Sequence, residues 1–238
     1  FLLKERFDHL IHCAAITHVK TKDNKKMILD NLQGLKNILE SKSSFGSVVL
    51  ISTVSVYGEI TTNLITEKTK PKKISNYGKS KFLMEKYLKK NKKKFNYLIL
   101  RLPGVIGNFV SNGNFLNDII SKAIKNKTIN IYGPKTHFNN VVHTETVAKI
   151  IKKFFSTKKP KHEIFNLSSK KPEKLIDLVN FIKIRLKSTS SIYTKAFSKK
   201  SFNISTTKCS KFNISIINTK SSIAKTLSFI LSNKIFKK

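Results

Sequence analysis

The sequence predicts an α/β protein: a parallel sheet flanked by helices, followed by a smaller α+β lobe at the C-terminal side. Through the first hundred of 238 residues, short apolar runs rich in β-branched residues alternate with segments of helical period. That alternation is the sign of strand–helix–strand units. After Gly107 it loosens into shorter elements. A chain of this length suits one large domain, or a domain with a smaller lobe.

The elements follow in order. HLIHCAA (9–15) is a short apolar run ending in two small residues and predicts a buried strand, with His12 a satisfied core histidine and Cys13 a small core residue. The next segment carries Ile28, Leu29, Leu32, Leu35, Ile38 and Leu39 at helical spacing. GSVVLIS (46–52) predicts a second buried strand. A loop runs to Pro71, and Ser75 then caps a helix with Phe82, Leu83, Tyr87 and Leu88 on its inner side. FNYLILRLPG (95–104) is a third strand, broken by Pro103-Gly104. A helix at about 114–126, the strand TINIYG, a helix from Thr144 and the strand EIFNLS make the smaller lobe. The tail from about 188 is rich in Ser, Thr, Lys and Asn, with one last helix in SSIAKTLSFILSN.

Composition excludes several classes. No stretch approaches the ~18 apolar residues of a membrane span, and no basic region precedes the opening apolar patch, so no signal peptide is expected. Two cysteines, Cys13 and Cys209, make neither a disulfide framework nor a metal cluster, which fits a reducing cytoplasm. The net charge is +34, with only Arg6, Arg101 and Arg185 as arginines among 47 basic residues. Phosphate and base recognition leans on arginine's fork. The lysines are scattered along the whole chain beside abundant Asn, Ile, Phe and Ser, so the charge reads first as compositional drift. A real preference for a polyanion or an anionic membrane is the other reading.

Tyr77 and Lys81 stand four apart in ISNYGKSK. In so lysine-rich a chain the spacing alone means little: the chance of at least one such pair is roughly two in three. Its neighbours give it meaning. The apolar run 46–52 leads directly into Thr53, putting Ser52 and Thr53 at the carboxyl end of a strand, the edge where open α/β sheets bind ligands. The helix after Ser75 presents Tyr77 and Lys81 one turn apart on one face. An ammonium at Lys81 is expected to lower the pKa of Tyr77. Tyr77 then exchanges a proton with a sugar hydroxyl or ketone while a nicotinamide carries the hydride, and Thr53 orients the reacting oxygen. Ser52 lacks a His-Asp pair to make it a nucleophile.

The chain resembles the extended short-chain dehydrogenase/reductase family, in its NAD-dependent epimerase/dehydratase branch acting on nucleotide sugars. The segments that carry the resemblance are FDHLIHCAA, DNLQGLKNILE, LISTVSVYG, YGKSKFLMEK and LILRLPGVIG, with EIFNLSSKKPEKLIDLVNFI later, so it weakens only after about 188. It implies a Rossmann-type doubly wound sheet over residues 1–107, and a substrate lobe over 108–238 with some segments returning to the sheet. It implies NAD, or alternatively NADP, held by Ala14, Ala15, Asn31, Ser52, Tyr77, Lys81, Pro103 and Val105. Catalysis falls to Thr53, Tyr77 and Lys81, and substrate contacts to Thr53, Asn114 and Asn139, with no metal. His143 matches a mainly structural histidine. A homodimer through a two-helix face is common in the family.

The departures shape the expectation. No glycine-rich turn for a pyrophosphate precedes Phe7, and the chain does not begin with Met. The reading is therefore of a sequence truncated by roughly two strand–helix units of ~30 residues each, which by itself holds NAD poorly. Where dehydratases carry Asp-Glu after the catalytic Thr, this chain has Val54 and Ser55, which cannot serve elimination. Where many relatives clamp the diphosphate with arginine, HFNNVVH offers Asn139, which brings no charge. Epimerase and NADPH-dependent keto-sugar reductase remain. From a different class comes a non-catalytic basic relative that binds nucleic acid.

Overall fold

The structure is a computed structural model that describes residues 4–17, 23–108, 114–156, 162–196, 201–210 and 213–233. Parts of the tail, at 197–200, 211–212 and 234–238, lie outside the described residues. In chain order the elements are β1 (Arg6–His12), α1 (Asn24–Leu39), β2 (Ser44–Thr53), a 3-10 turn (Val54–Tyr57), β3 (Leu64–Ile65), α2 (Asn76–Lys90), β4 (Asn96–Leu102) and β5 (Gly104–Ile106). Then follow α3 (Phe115–Ile124), β6 (Ile129–Tyr132), β7 (His137–Phe138), β8 (Val141–His143), α4 (Thr144–Phe155) and β9 (His162–Asn166). The chain closes with β10 (Glu173–Lys174), α5 (Leu175–Leu186), β11 (Ile192–Lys195), β12 (Asn203–Ile204), α6 (Thr207–Ser210) and α7 (Thr219–Ser232).

Two units divide the chain. The first comprises Phe1–Glu59, Glu67–Leu102 and Lys149–Asn166. Its centre is a parallel sheet in the order β1-β2-β4-β9. β2 is apolar on both faces because the sheet is covered on both, as parallel sheets are. Val48 and Leu50 on one face pack with Leu35 of α1, Met84 and Leu88 of α2, and Tyr97 and Ile99 of β4. Each such side chain contributes about 1.5–3 kcal/mol on burial. Asp23 caps α1 by accepting from the Lys26 N–H, and Ser75 caps α2 by accepting from Gly78. Lys89 and Lys90 in the last turn of α2 suit the negative end of its dipole.

Five expectations do not hold. The first strand ends at His12, so Cys13–Ala15 leave the sheet and Cys13 is exposed. β1 is also an edge strand among the described residues, with Phe7 38% and Ile11 45% exposed rather than buried. α1 buries the row Met27, Asn31 and Leu35, while Leu29 stands out to solvent. The inner face of α2 is Gly78, Ser80, Lys81, Met84, Glu85 and Leu88, and Phe82, Leu83 and Tyr87 are only half-buried. EIFNLS supplies β9, which joins the parallel sheet beside β4.

The second unit comprises Ile60–Thr66, Pro103–Ala148 and Leu167–Lys238. Its strands pair two by two: β5 with β8, β6 with β11 and β3 with β12 in parallel, and β7 with β10 antiparallel. Leu116, Ile119 and Ile120 of α3, Leu178 and Ile182 of α5, and Ile223, Leu227 and Ile230 of α7 close one core over Ile129 and Ile131. No helix among the described residues is long and apolar enough to cross a membrane.

Candidate active site

The first unit gathers Thr53, Tyr77 and Lys81 around the carboxyl end of β2. Lys81 is 2% exposed, and its Nζ donates to the Ile51 carbonyl at 2.9 Å, two residues before Thr53. An ammonium carries three donors, so with Ile51 as its acceptor among the described residues, two N–H groups remain for hydroxyls of a bound ligand. Burial pushes the pKa of Lys81 down to about 8, and the nearby Cys13 thiol acts in the opposite sense. His12 is buried beside it. Burial first, and then the Lys81 charge, lower the His12 pKa to about 4, against a bond to the Ala14 backbone.

Tyr77 sits one turn before Lys81 and is half-buried. Burial raises its pKa. The expected lowering by Lys81 is not found: the ammonium points at Ile51, and desolvation of the phenol governs Tyr77 instead. Thr53 ends β2 in an extended conformation (φ −140°, ψ 151°) and caps the 3-10 turn. Its Oγ accepts from the Ser55 N–H at 3.1 Å and donates to Ser55 Oγ at 3.2 Å. That turn and α2 approach closely because residue 78 is glycine: a Cβ there would lie 2.2 Å from the Ser55 carbonyl oxygen.

Other expected contacts prove committed within the protein. Ser52 Oγ donates to Glu85 Oε1 at 2.7 Å, so the one proton of this hydroxyl ties the end of β2 to α2. Asn31 accepts from the Ile16 N–H and donates to the Ile16 carbonyl and to Ser80 Oγ. Ser80 in turn donates to the Tyr77 carbonyl, so Asn31 ties the segment after β1 to the turn carrying Tyr77. Ala14 is exposed and Ala15 half-buried where the chain leaves β1, which leaves their backbone open to approach.

Pro103, Val105, Asn114 and Asn139 belong to the second unit. Pro103 and Val105 are half-buried. Asn114 caps α3 through the Leu116 N–H and donates to the Val105 carbonyl at 2.8 Å, so one of its two N–H donors holds this corner together. The expectation for Asn139 is corrected. It is 4% exposed, accepts from the Ile204 N–H and donates to the Ile204 carbonyl, extending the backbone ladder to β12 instead of meeting a diphosphate. His143 is buried and accepts from the Glu145 N–H, with burial lowering its pKa.

A buried network passed unseen in the sequence. Arg101 donates to both oxygens of Glu85, at 3.0 and 2.6 Å, and to Tyr57 OH at 2.9 Å. Tyr57 donates to Asn166 Oδ1 at 2.7 Å. Burial disfavours the charge on Arg101, yet Glu85 more than offsets it and the pKa is raised. The signal was there in part: Arg101 is the one arginine inside an apolar strand.

A GDP-6-deoxy-D-talose 4-dehydrogenase of Aggregatibacter actinomycetemcomitans is 28% identical, over 55% of this chain and 58% of that protein. The chain thus spans less than two thirds of that relative. The UDP-glucuronic acid 4-epimerase of Bacillus cereus, solved with NAD, superposes with a TM-score of 0.81 at 21% identity, covering 97% of this chain and 75% of the other. RMD of Pseudomonas aeruginosa, solved with NADPH, gives 0.77 at 19% identity, covering 94% and 82%. These two likenesses establish the Rossmann-type fold. The profile of the NAD dependent epimerase/dehydratase family matches residues 1–168, and the chain belongs to that family.

Proposed function

We propose that the protein is an NAD-dependent nucleotide-sugar epimerase in which Tyr77 is the acid/base, Lys81 its cationic neighbour and Thr53 the hydroxyl that orients the reacting oxygen. The observation that carries this reading is the Lys81 ammonium, buried and hydrogen-bonded to Ile51 at the carboxyl end of β2, one helical turn from Tyr77. A buried ammonium with free donors fits the ribose hydroxyls of a nicotinamide dinucleotide, and the open backbone at Ala14 and Ala15 fits its passage. When bound, the cofactor takes up and returns a hydride.

The residues do the rest. With Tyr77 raised by burial, a ligand-bound Lys81 whose Nζ shifts toward the phenol makes phenolate accessible. Tyr77 Oη then holds or releases the proton of the sugar hydroxyl. Thr53 Oγ turns its hydrogen from Ser55 to that oxygen, a swap between two acceptors. Val54 and Ser55 offer no carboxyl, which leaves elimination without its acid and base.

A keto-sugar reductase is the second reading, favoured by the relative named as a 4-dehydrogenase. One experiment separates them. The chain is incubated with NAD and a panel of UDP- and GDP-sugars, and with NADPH and the corresponding 4-keto sugars, and products are read by NMR. An epimer formed without net cofactor turnover upholds the epimerase. Stoichiometric NADPH oxidation upholds the reductase, and failure of both with cofactor bound overturns the two together.

A further inference from the structure

We infer that Glu85 and Arg101 are positioning residues for Lys81 and Thr53, forming a buried clamp that fixes the distance between α2 and the end of β2. The inference rests on the catalytic reading of Tyr77, Lys81 and Thr53. Ser52, Arg101 and Asn166 are register partners across β2, β4 and β9, one polar residue per strand at one level of the sheet. Ser52 is the residue before Thr53. Glu85 lies one helical turn after Lys81 on α2, fully buried, and holds Ser52 and Arg101 at once. Tyr57 closes the group from the turn that Thr53 caps, with its ring under the Arg101 guanidinium. Every strand and turn that presents a candidate catalytic side chain is therefore bonded, through one carboxylate, to the helix that presents the others.

A buried ion pair is weak evidence for stability, since well-packed apolar residues often serve as well or better. Five polar side chains in one buried layer are thus better explained by what they align than by what they stabilise. Geometry of the reacting groups is where a small displacement costs most rate.

The test replaces the clamp without leaving a buried charge, by Glu85→Met with Arg101→Met; Glu85→Gln, which keeps the shape but leaves Arg101 without its carboxylate, is the second variant. The readout independent of turnover is the pKa of Lys81, followed in the 13Cε lysine spectrum and assigned by its disappearance in Lys81→Met. With His12, Cys13 and Tyr77 unchanged around it, Lys81 is expected to rise from about 8 by at least about one unit, as loosening of α2 admits water. In the working enzyme kcat is expected to fall by about tenfold or more with KM nearly unchanged, in both variants to different degrees. A folded double variant, or a folded Glu85→Gln should the double variant not fold, that keeps Lys81 at its original pKa overturns the clamp. If the wild type proves inactive on every sugar but the pKa still moves, the catalytic reading fails while the clamp stands.

Discussion

At the scale of the residue, Lys81 sets function against stability. Its folded pKa of about 8 lies below the ordinary 10.5, so the unfolded chain binds the proton more tightly. Stability then rises as pH climbs from about 8 to about 10.5, and below about 8 the full penalty is present. The difference corresponds to about 3 kcal/mol, less whatever the Ile51 hydrogen bond returns. Lys81→Met is therefore expected to melt higher than wild type at pH 7, with the gap closing toward pH 10.5, and to lose activity. A variant that melts lower at pH 7 would refute this. Tyr77→Phe is expected to cost about 10²–10⁴-fold in kcat, the range of a general acid/base, with little change in Tm. The places of Thr53, Tyr77 and Lys81 at a strand end and on one helix were legible because both patterns are local in sequence. Glu85 with Arg101 was not, since the pairing depends on which strand lies under α2. Asn139 shows the other limit: a family position tells where a residue stands, and only the fold shows that its amide is already spent.

At the scale of the element, the glycine of α2 and the asparagine beside β12 carry the sharpest expectations. A methyl at position 78 would meet the Ser55 carbonyl oxygen at 2.2 Å and the Ile74 side chain at 2.8 Å. Gly78→Ala gains helix propensity, yet is expected to destabilise by several kcal/mol because backbone must move. Denaturant unfolding measures it, and a stabilised variant would show that the turn yields freely. Asn139→Ala strips the Ile204 N–H and carbonyl of a buried partner, at about 1–3 kcal/mol per orphaned group. Hydrogen exchange at Ile204 should accelerate, while affinity for a nucleotide diphosphate stays unchanged. The helices were readable from apolar period and caps: Ser75 caps α2 as its sequence implied. The end of β1 was not, because Cys13 and Ala14 look apolar in sequence whether they pack or face solvent.

At the scale of the whole molecule, the charge of +34 makes attraction to any polyanion unavoidable at low salt. Binding to unrelated DNA duplexes is expected to be equal among sequences and to fall steeply between 50 and 200 mM salt, by about 10³-fold or more for six or more phosphate contacts. Affinity for one sequence that survives high salt would favour the nucleic-acid reading. The alternation of strand and helix showed the class of fold. It could not show that β9, some sixty residues beyond β4, comes back to lie beside it.

The polar layer of Ser52, Arg101 and Asn166 has one more effect, on how the strands find their alignment. Apolar strands such as β2 and β4 offer nearly equivalent packings when shifted by two residues, since a shift of two restores the same faces. Glu85 breaks that degeneracy. A sheet misaligned by two would strand a guanidinium in hydrocarbon, at a cost of about 3–5 kcal/mol for the broken pair. Arg101 thus counts residues for the sheet, and a chain with methionine at both positions should fold with more misaligned traps on the way, seen as added slow phases in refolding.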